Sequence, residues 1–164
     1  MRRNIPLTEK PVSEPRPERP LTAEERKLRN RLDPERIPRH VAVIPDGNGR
    51  WARAHGMADR IKGHEAGIEA IRDIIESAAR IGIKVLSIYA FSMDNWLRAR
   101  HETSALMRYF RRFLVSERAN LAKNDFRIVH SGRREGLPRY VIEALDKTIE
   151  ATAANSGLTI NLAV

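Results

Sequence analysis

Residues 40–51 read HVAVIPDGNGRW, a short β-branched run followed by an aspartate, two glycines, an arginine and a tryptophan. Val41 to Ile44 are continuously apolar, which is typical of a strand buried on both faces of a parallel sheet. Asp46 follows at the carboxyl end of that strand, where open α/β sheets bind ligands. A carboxylate beside a glycine turn and the Arg50 guanidinium favours a magnesium-bridged phosphate ester, and an Asp46 that only caps a helix is the simpler alternative.

Residues 47–52 also match the dinucleotide-binding fingerprint G-x-G-x-x-G/A. That fingerprint needs an acidic residue about 20 positions later, at the end of the second strand. Glu65 and Glu69 instead fall in a helical pattern, and no Walker-type phosphate loop occurs anywhere in the sequence. The segment therefore favours a phosphate site of another kind.

The composition of the 164 residues, 41% hydrophobic and 31% charged, predicts one domain with a real core. The absence of cysteine excludes a disulfide framework and cysteine-bound zinc. A formal charge of +9 favours an anionic partner: nucleic acid, a phosphorylated metabolite or an anionic membrane surface. Nucleic acid is the weakest of these, because the positive residues gather at a glycine loop beside an acid and no nucleic-acid motif is present.

Residues 1–37 are rich in proline and charge, and they are predicted to form a flexible tail that precedes a domain over residues 38–164. Within the tail, residues 21–29 predict a short helix capped by Thr22, with Glu25 as its capping-box partner. The basic side chains of this helix could contact phosphates or lipid head groups, although mixed charge runs are usually just solvated.

A strand, a helix and a second strand follow one another after residue 40. Residues 53–62 are polar and irregular and predict a loop, whereas residues 65–80 have one apolar face and predict a helix. Residues 84–91 form the next apolar strand, so the three elements make a βαβ unit with a parallel pair. The second strand should deliver further polar and aromatic residues to the edge that carries Asp46, namely Ser92, Asp94, Asn95, Trp96 and Arg98.

The remaining sequence predicts a helix over 104–122, a strand over 126–130, a helix over 138–154 and a strand over 158–164. The fold class is therefore α/β, with a mostly parallel central sheet and flanking helices. The broad apolar band of the 104–122 helix is usually ordinary core. Because no helix follows it, the last strand is expected to leave an exposed apolar sheet edge.

The two strand ends together predict an anion site. Arg50, Arg60 and Arg98 could neutralise a diphosphate, and Asp46 is the candidate ligand for Mg²⁺. For His64 a capping role is the alternative to ligand binding, and for Trp96 the alternative is a place in the core.

Several segments resemble signatures of the cis-prenyltransferases, a family typified by bacterial undecaprenyl diphosphate synthase. They are residues 40–52, Gly63-His64 with Gly67, residues 89–98 and residues 157–161. The resemblance implies successive condensation of isopentenyl diphosphate onto an allylic diphosphate such as farnesyl diphosphate, forming Z double bonds. It also implies a magnesium-dependent, cytoplasmic, homodimeric enzyme, with peripheral membrane contact as a further expectation.

The resemblance implies a role for each matching residue. Asp46 would hold Mg²⁺ and activate the diphosphate, and Asn95 would act in proton removal. The helices over 65–80 and 104–122 would wall a tunnel for the growing chain. The expected substrate-binding residues are Gly47, Asn48, Gly49, Arg50, Trp51, Arg60, His64, Ser92, Met93, Asp94, Trp96 and Arg98.

The sequence departs from the family pattern at Pro45, where many members have methionine, and at Asp94, where glutamate is common. Members also continue past the strand at 158–164 with an Arg-x-x-x-Arg-x-Ser segment for isopentenyl diphosphate. The sequence is therefore expected to be the N-terminal part of such a protein. A truncated, non-catalytic subunit that binds prenyl diphosphate or a partner chain is the alternative function.

Overall fold

The computed structural model describes residues 20–57, 60–97 and 99–164, without the side chains of residues 60–62 and 94. Short 3₁₀ turns lie at Pro34–Arg36 and Met93–Leu97. The helices and strands are, in chain order, α1 (Ala23–Arg29), β1 (His40–Val43), α2 (Asn48–Ala54), α3 (Arg60–Ile81), β2 (Val85–Tyr89), α4 (Arg100–Lys123), β3 (Arg127–Ser131), α5 (Arg139–Ala151) and β4 (Thr159–Ala163).

The four strands form one parallel sheet in the order β1-β2-β4-β3. This confirms the predicted α/β class. The predicted exposed edge at residues 158–164 is wrong, because β4 inserts between β2 and β3 and pairs with both. Ile160 and Leu162 are buried there, and the edges of the sheet are β1 and β3.

One face of the sheet carries the core. Leu86, Ile160 and Ile128 lie side by side on β2, β4 and β3, and they cluster with apolar residues of α3, α4 and α5. In β1, Val41 and Val43 are half-buried against this cluster, whereas His40 and Ala42 are exposed. The prediction that this strand is buried on both faces is therefore wrong, because in the described residues the helices pack on one face only.

Polar side chains are joined by hydrogen bonds across the opposite face of the sheet. His40 Nε2 lies 2.8 Å from Ser87 Oγ, and Asn161 Nδ2 donates to the same oxygen at 3.1 Å. Ser131 Oγ donates to Asn161 Oδ1 at 2.9 Å. The chain of contacts spans all four strands, so a polar face replaces the second apolar face expected of a fully buried sheet.

The helices differ from prediction at their ends. The predicted loop over 53–62 is partly wrong, because α2 continues to Ala54 and α3 begins at Arg60. The physical reason is packing: Ala52 is fully buried, and α3 lies directly against α2 through Gly63. Likewise, α4 begins earlier than predicted, and α5 ends at Ala151 because Thr152 is its C-cap.

The helices α3 and α4 are joined by polar contacts. Tyr109 Oη donates to Glu65 Oε1 at 3.0 Å, and Arg72 Nε donates to Glu117 Oε1 at 3.0 Å. Glu117 is nearly buried, and its pairing with Arg72 satisfies a charge that would otherwise be costly there. These two contacts hold α3 and α4 against each other, and they are the two helices predicted to wall a tunnel.

The predicted capped helix in the N-terminal segment is confirmed. Thr22 accepts from the Glu25 amide at 3.1 Å, and Glu25 accepts from the Thr22 amide at 2.7 Å, which completes the capping box of α1. Residues 1–19 of the predicted tail lie outside the described residues, while Ile37 packs against the core cluster. In the described ranges, no helix is both long enough and apolar enough to cross a membrane.

Candidate functional site

The carboxyl end of β1 presents an exposed pair of opposite charges. Arg50 Nη2 lies 3.2 Å from Asp46 Oδ2, and the two side chains are 73% and 82% exposed. Asp46 Oδ1 accepts the amide of Gly47, and Gly47 is the N-cap of α2 without a side-chain cap. The alternative in which Asp46 only caps the helix is therefore wrong. Because both side chains are mostly in water, their charges are accessible to a ligand. An exposed ion pair of this kind adds little stability.

The glycine turn directs the chain into α2. Gly47 has a φ of +92°, which side-chain-bearing residues rarely adopt, and its carbonyl accepts the Trp51 amide at 2.8 Å. The first-turn amides of Asn48, Gly49 and Arg50 have no intrahelical acceptors, as at any helix start. Backbone donors therefore lie beside the Asp46–Arg50 pair.

The helix α2 meets the start of α3 at two glycines. Asn48 Nδ2 lies 3.0 Å from His64 Nδ1 in a partly buried contact. A Cβ atom at Gly63 would lie 2.1 Å from the Asn48 carbonyl oxygen, and one at Gly67 would lie 2.8 Å from Asn48 Oδ1. His64 thus bonds to a residue of the glycine turn, and the contact depends on the absence of side chains on α3.

Trp51 lies on the outer side of α2. Its ring stacks on His55 with centroids 4.0 Å apart and an interplanar angle of 23°, and 40% of the residue is exposed. His55 Nδ1 is also 2.9 Å from the Trp51 carbonyl oxygen. The indole therefore offers an exposed apolar surface held by its own helix.

The second strand end is a 3₁₀ turn fixed from both sides. Trp96 packs edge-on against buried Phe91, with centroids 5.1 Å apart, and remains 37% exposed. Asn95 Nδ2 donates to Ser92 Oγ, and the Asn95 carbonyl accepts Thr103 Oγ1 at 3.3 Å. Trp96 thus has one edge in the core and part of its surface open. Met93 in the same turn is 74% exposed.

Strand pairing relates the two groups. Val43 of β1 is paired with Ile88 of β2, so the Asp46 turn and the Ser92 turn follow the same edge of the sheet. The prediction that the ends of β1 and β2 lie at the same edge of the sheet is therefore confirmed. The predicted role of Arg60 rests on a side chain outside the described part, and so does that of Asp94; Arg98 lies outside it entirely.

Asp46 is the candidate Mg²⁺ ligand at this edge of the sheet. Among the described residues, no three histidine, cysteine or acidic side chains cluster as a metal site. Asp46 nevertheless offers an exposed carboxylate beside donors for an anion. Magnesium is commonly bound by one or two carboxylates together with substrate phosphates and water. Asp46 therefore fits a magnesium site completed by a phosphate ligand.

Sequence reasoning overlooked the residues that support the second turn. Phe91 backs Trp96, and Thr103 ties Asn95 to the first turn of α4. Thr103 directly precedes the predicted helix over 104–122, so its position near a helix start was the available signal. Phe91 was identified only as the last residue of an apolar strand.

Comparison with known proteins identifies the family. A family model described as putative undecaprenyl diphosphate synthase matches residues 44–164. The chain belongs to this cis-prenyltransferase family. An isoprenyl transferase from Shouchella clausii is 41% identical over 133 residues, covering 81% of this chain and 51% of the relative. Dehydrodolichyl diphosphate synthase 2 of Arabidopsis thaliana is 43% identical over 141 residues, covering 86% and 45%.

Solved cis-prenyltransferases have the same fold. Lavandulyl diphosphate synthase from Lavandula x intermedia, in complex with dimethylallyl diphosphate, matches with a TM-score of 0.74 and 35% identity, covering 77% of this chain and 54% of that chain. A probable undecaprenyl diphosphate synthase from Campylobacter jejuni matches with a TM-score of 0.62 and 26% identity, covering 77% and 53%. The chain thus spans about half the length of the cis-prenyltransferases that it matches.

Proposed function

We propose that this chain binds an allylic diphosphate at the carboxyl end of β1 and contributes the allylic half of a prenyl-transfer site. In the proposed reaction, isopentenyl diphosphate condenses with an allylic diphosphate such as farnesyl diphosphate to give a cis-polyprenyl diphosphate. The observation that carries the proposal is the exposed Asp46–Arg50 pair beside the Asn48–His64 contact, within the segment matched by the family model. The dimethylallyl diphosphate bound to the similar lavandulyl enzyme supports an allylic ligand.

The first strand end would bind the diphosphate. Arg50 and the first-turn amides of α2 supply charge-assisted hydrogen bonds to its oxygens, and Gly47 and Gly49 let the ligand approach the backbone closely. His64 adds a ring nitrogen, and Trp51 an exposed apolar wall. Asp46 would hold Mg²⁺ together with the diphosphate oxygens. The chemistry that the bound ion supplies is neutralisation of charge on the departing diphosphate.

The second strand end would lie beside the reacting carbon atoms of the two substrates. During transfer, the bond between the allylic carbon and the diphosphate oxygen breaks, a new carbon–carbon bond forms, and a proton leaves. Because Asn95 Nδ2 donates to Ser92 Oγ, Oδ1 is the acceptor that remains on the Asn95 side chain. We assign Asn95 to the proton-removal step. Five further substrate contacts are proposed from the family resemblance alone. They are Arg60 at the first strand end and Met93, Asp94, Trp96 and Arg98 at the second.

The assembly and location of the protein are further proposals from the family resemblance. We propose that the full-length protein is a homodimer, and that it is cytoplasmic with peripheral contact to the membrane. The basic last turn of α1, which includes Arg26, Lys27 and Arg29, is the proposed lipid contact because α1 buries no residue. Sedimentation with anionic and with neutral vesicles tests this contact, and equal retention by both would contradict it.

A second candidate is a chain that binds allylic diphosphate without turnover. The specific observation in its favour is that the matched region is about half of each relative. Radiolabelled isopentenyl diphosphate with farnesyl diphosphate and Mg²⁺ separates the two candidates. A labelled product supports transfer, whereas saturable binding without a product supports the second candidate.

Binding calorimetry with dimethylallyl diphosphate and Mg²⁺ tests the site directly. Asp46→Asn should weaken the magnesium-dependent part of binding by at least about tenfold, because it removes the carboxylate that holds the ion. Asp73→Asn is the matched control, since Asp73 is also exposed and loses the same charge on α3. Equal losses in the two variants would indicate a general charge effect and contradict the assigned role of Asp46.

A further inference from the structure

Gly63 and Gly67 occupy the first turns of α3 without a backbone reason for glycine. Neither has a positive φ, in contrast to Gly47 and Gly82. Glycine in a helix interior is less favourable than alanine, so two such residues need a compensating contact. The contact is with Asn48, because a Cβ at either position would collide with that residue.

The two glycines make room for different parts of Asn48. A Cβ at Gly63 would come within 2.1 Å of the Asn48 carbonyl oxygen, which is backbone. A Cβ at Gly67 would come within 2.8 Å of Oδ1 and 3.1 Å of Nδ2, which are side-chain atoms. Gly63 therefore sets the distance between the helices, and Gly67 sets the position of the Asn48 amide.

The Asn48 amide in turn determines the tautomer of His64. Its Nδ2 atom can only donate a hydrogen bond, and it lies 3.0 Å from His64 Nδ1. Nδ1 must then be the acceptor, so the neutral imidazole carries its proton on Nε2. The ring consequently presents an N–H donor on the side away from Asn48.

We propose that Gly67 is a positioning residue that acts through Asn48: the space it leaves allows the amide to hold His64 as the Nε2–H tautomer, a donor for a diphosphate oxygen. The assignment of the tautomer is argued from the contact between Asn48 and His64 and needs no bound ligand. The last step, donation to the diphosphate, rests on the proposed function. The closing experiment therefore measures the tautomer and ligand binding separately.

The tautomer is measured by long-range ¹H–¹⁵N NMR of the labelled chain, about two pH units above the ordinary histidine pKa of about 6.5, with His64 assigned through His64→Gln. The original chain should show the Nε2–H tautomer. Asn48→Ala and Gly67→Ala should each reduce the population of that tautomer. Adding Gly67→Ala to Asn48→Ala should change nothing further, because the side chain with which the new Cβ collides is already gone.

Gly63→Ala is the control for a purely structural effect. Its collision is with backbone, so it should lower the Tm both alone and together with Asn48→Ala. Gly67→Ala should lower the Tm only when Asn48 is intact and should raise it slightly in the Asn48→Ala background, as glycine-to-alanine changes do in helices. An unchanged His64 tautomer in Gly67→Ala would overturn the proposal.

Inorganic pyrophosphate is the probe for the second step. Loss of a hydrogen bond to a charged ligand should weaken its binding roughly 10- to 100-fold in Gly67→Ala. A changed tautomer with unchanged pyrophosphate affinity would overturn the donor role while leaving the positioning of His64 intact. Absence of pyrophosphate binding by the original chain, with the tautomers as expected, would overturn the proposed function and not the contact between Gly67, Asn48 and His64.

Discussion

The contact between α2 and α3 and the contact between α4 and α5 are both close, but they are built in opposite ways. The first is made by omitting side chains at Gly63 and Gly67, and it lies beside exposed charges. The second is made by filling space, since Leu114, Leu145 and Thr148 are fully buried. The difference indicates that stability is concentrated at α4 and α5, while the start of α2 can hold charges for a ligand.

The largest change in stability is expected at the α4–α5 contact. Leu145→Ala should lower the free energy of unfolding by about 2–5 kcal/mol, because it removes a fully buried side chain and leaves a cavity. Urea denaturation measures this loss, and calorimetry on the folded fraction should show unchanged affinity for dimethylallyl diphosphate. If binding weakened in parallel with stability, the α4–α5 contact and the ligand site would not be independent, contrary to the difference described above.

Thr148→Val should cost less, about 1–3 kcal/mol, because it keeps the shape of the side chain but removes a buried hydroxyl. That hydroxyl donates to the Ala144 carbonyl at 2.8 Å and accepts from Arg118 Nε at 3.2 Å. Thr148→Ser keeps the hydroxyl and serves as the control in the same denaturation experiment. A Val variant as stable as the original chain would show that the hydrogen bonds are not needed.

His130 of β3 should make stability depend on pH. Burial, and then the positive charge of Arg134, lower the pKa of His130, while Asp146 partly opposes this shift. The unfolded chain therefore takes up a proton near pH 6.5 more readily than the folded chain. Stability is present above that pH and is lost as the pH falls through the folded-state pKa.

Comparison with His130→Gln isolates this contribution from the other histidines. The stability of the original chain relative to the variant should fall as the pH is lowered through the ordinary histidine pKa of about 6.5, because the folded-state pKa lies below it. Parallel stability curves for the two chains as the pH is lowered through that value would contradict the expectation.

The smallest change in stability is expected at the exposed pair. Arg50→Gln should alter the free energy of unfolding by only about 0–1 kcal/mol, because both partners are mostly in water. The same variant should weaken pyrophosphate binding markedly, since it removes a guanidinium donor. A stability loss as large as that of Leu145→Ala would contradict this expectation and identify Arg50 as a structural residue.

Local sequence patterns predicted most of the elements but not their packing. The spacing of apolar residues predicted β2, β3, β4 and the three long helices, because burial of one face imposes a characteristic period on each kind of element. The start of α3 was misplaced because residues 60–64 have no apolar period, and their helix is supported by contact with α2. The position of the Asp46 turn was predictable, since the end of an apolar strand and the following glycines are local features.

Four features could be read from the amino-acid sequence: the α/β class, the capped helix α1, the place of Asp46 at a strand end and the resemblance to cis-prenyltransferases. These depend on residues close together in the chain. Three other features became visible only in the folded chain: β4 lies in the middle of the sheet, β1 is covered on one face, and Asn48 contacts both Gly67 and His64. Strand order and helix contacts join residues far apart in sequence, and such pairings are selected by the packing of the whole core rather than by any local pattern.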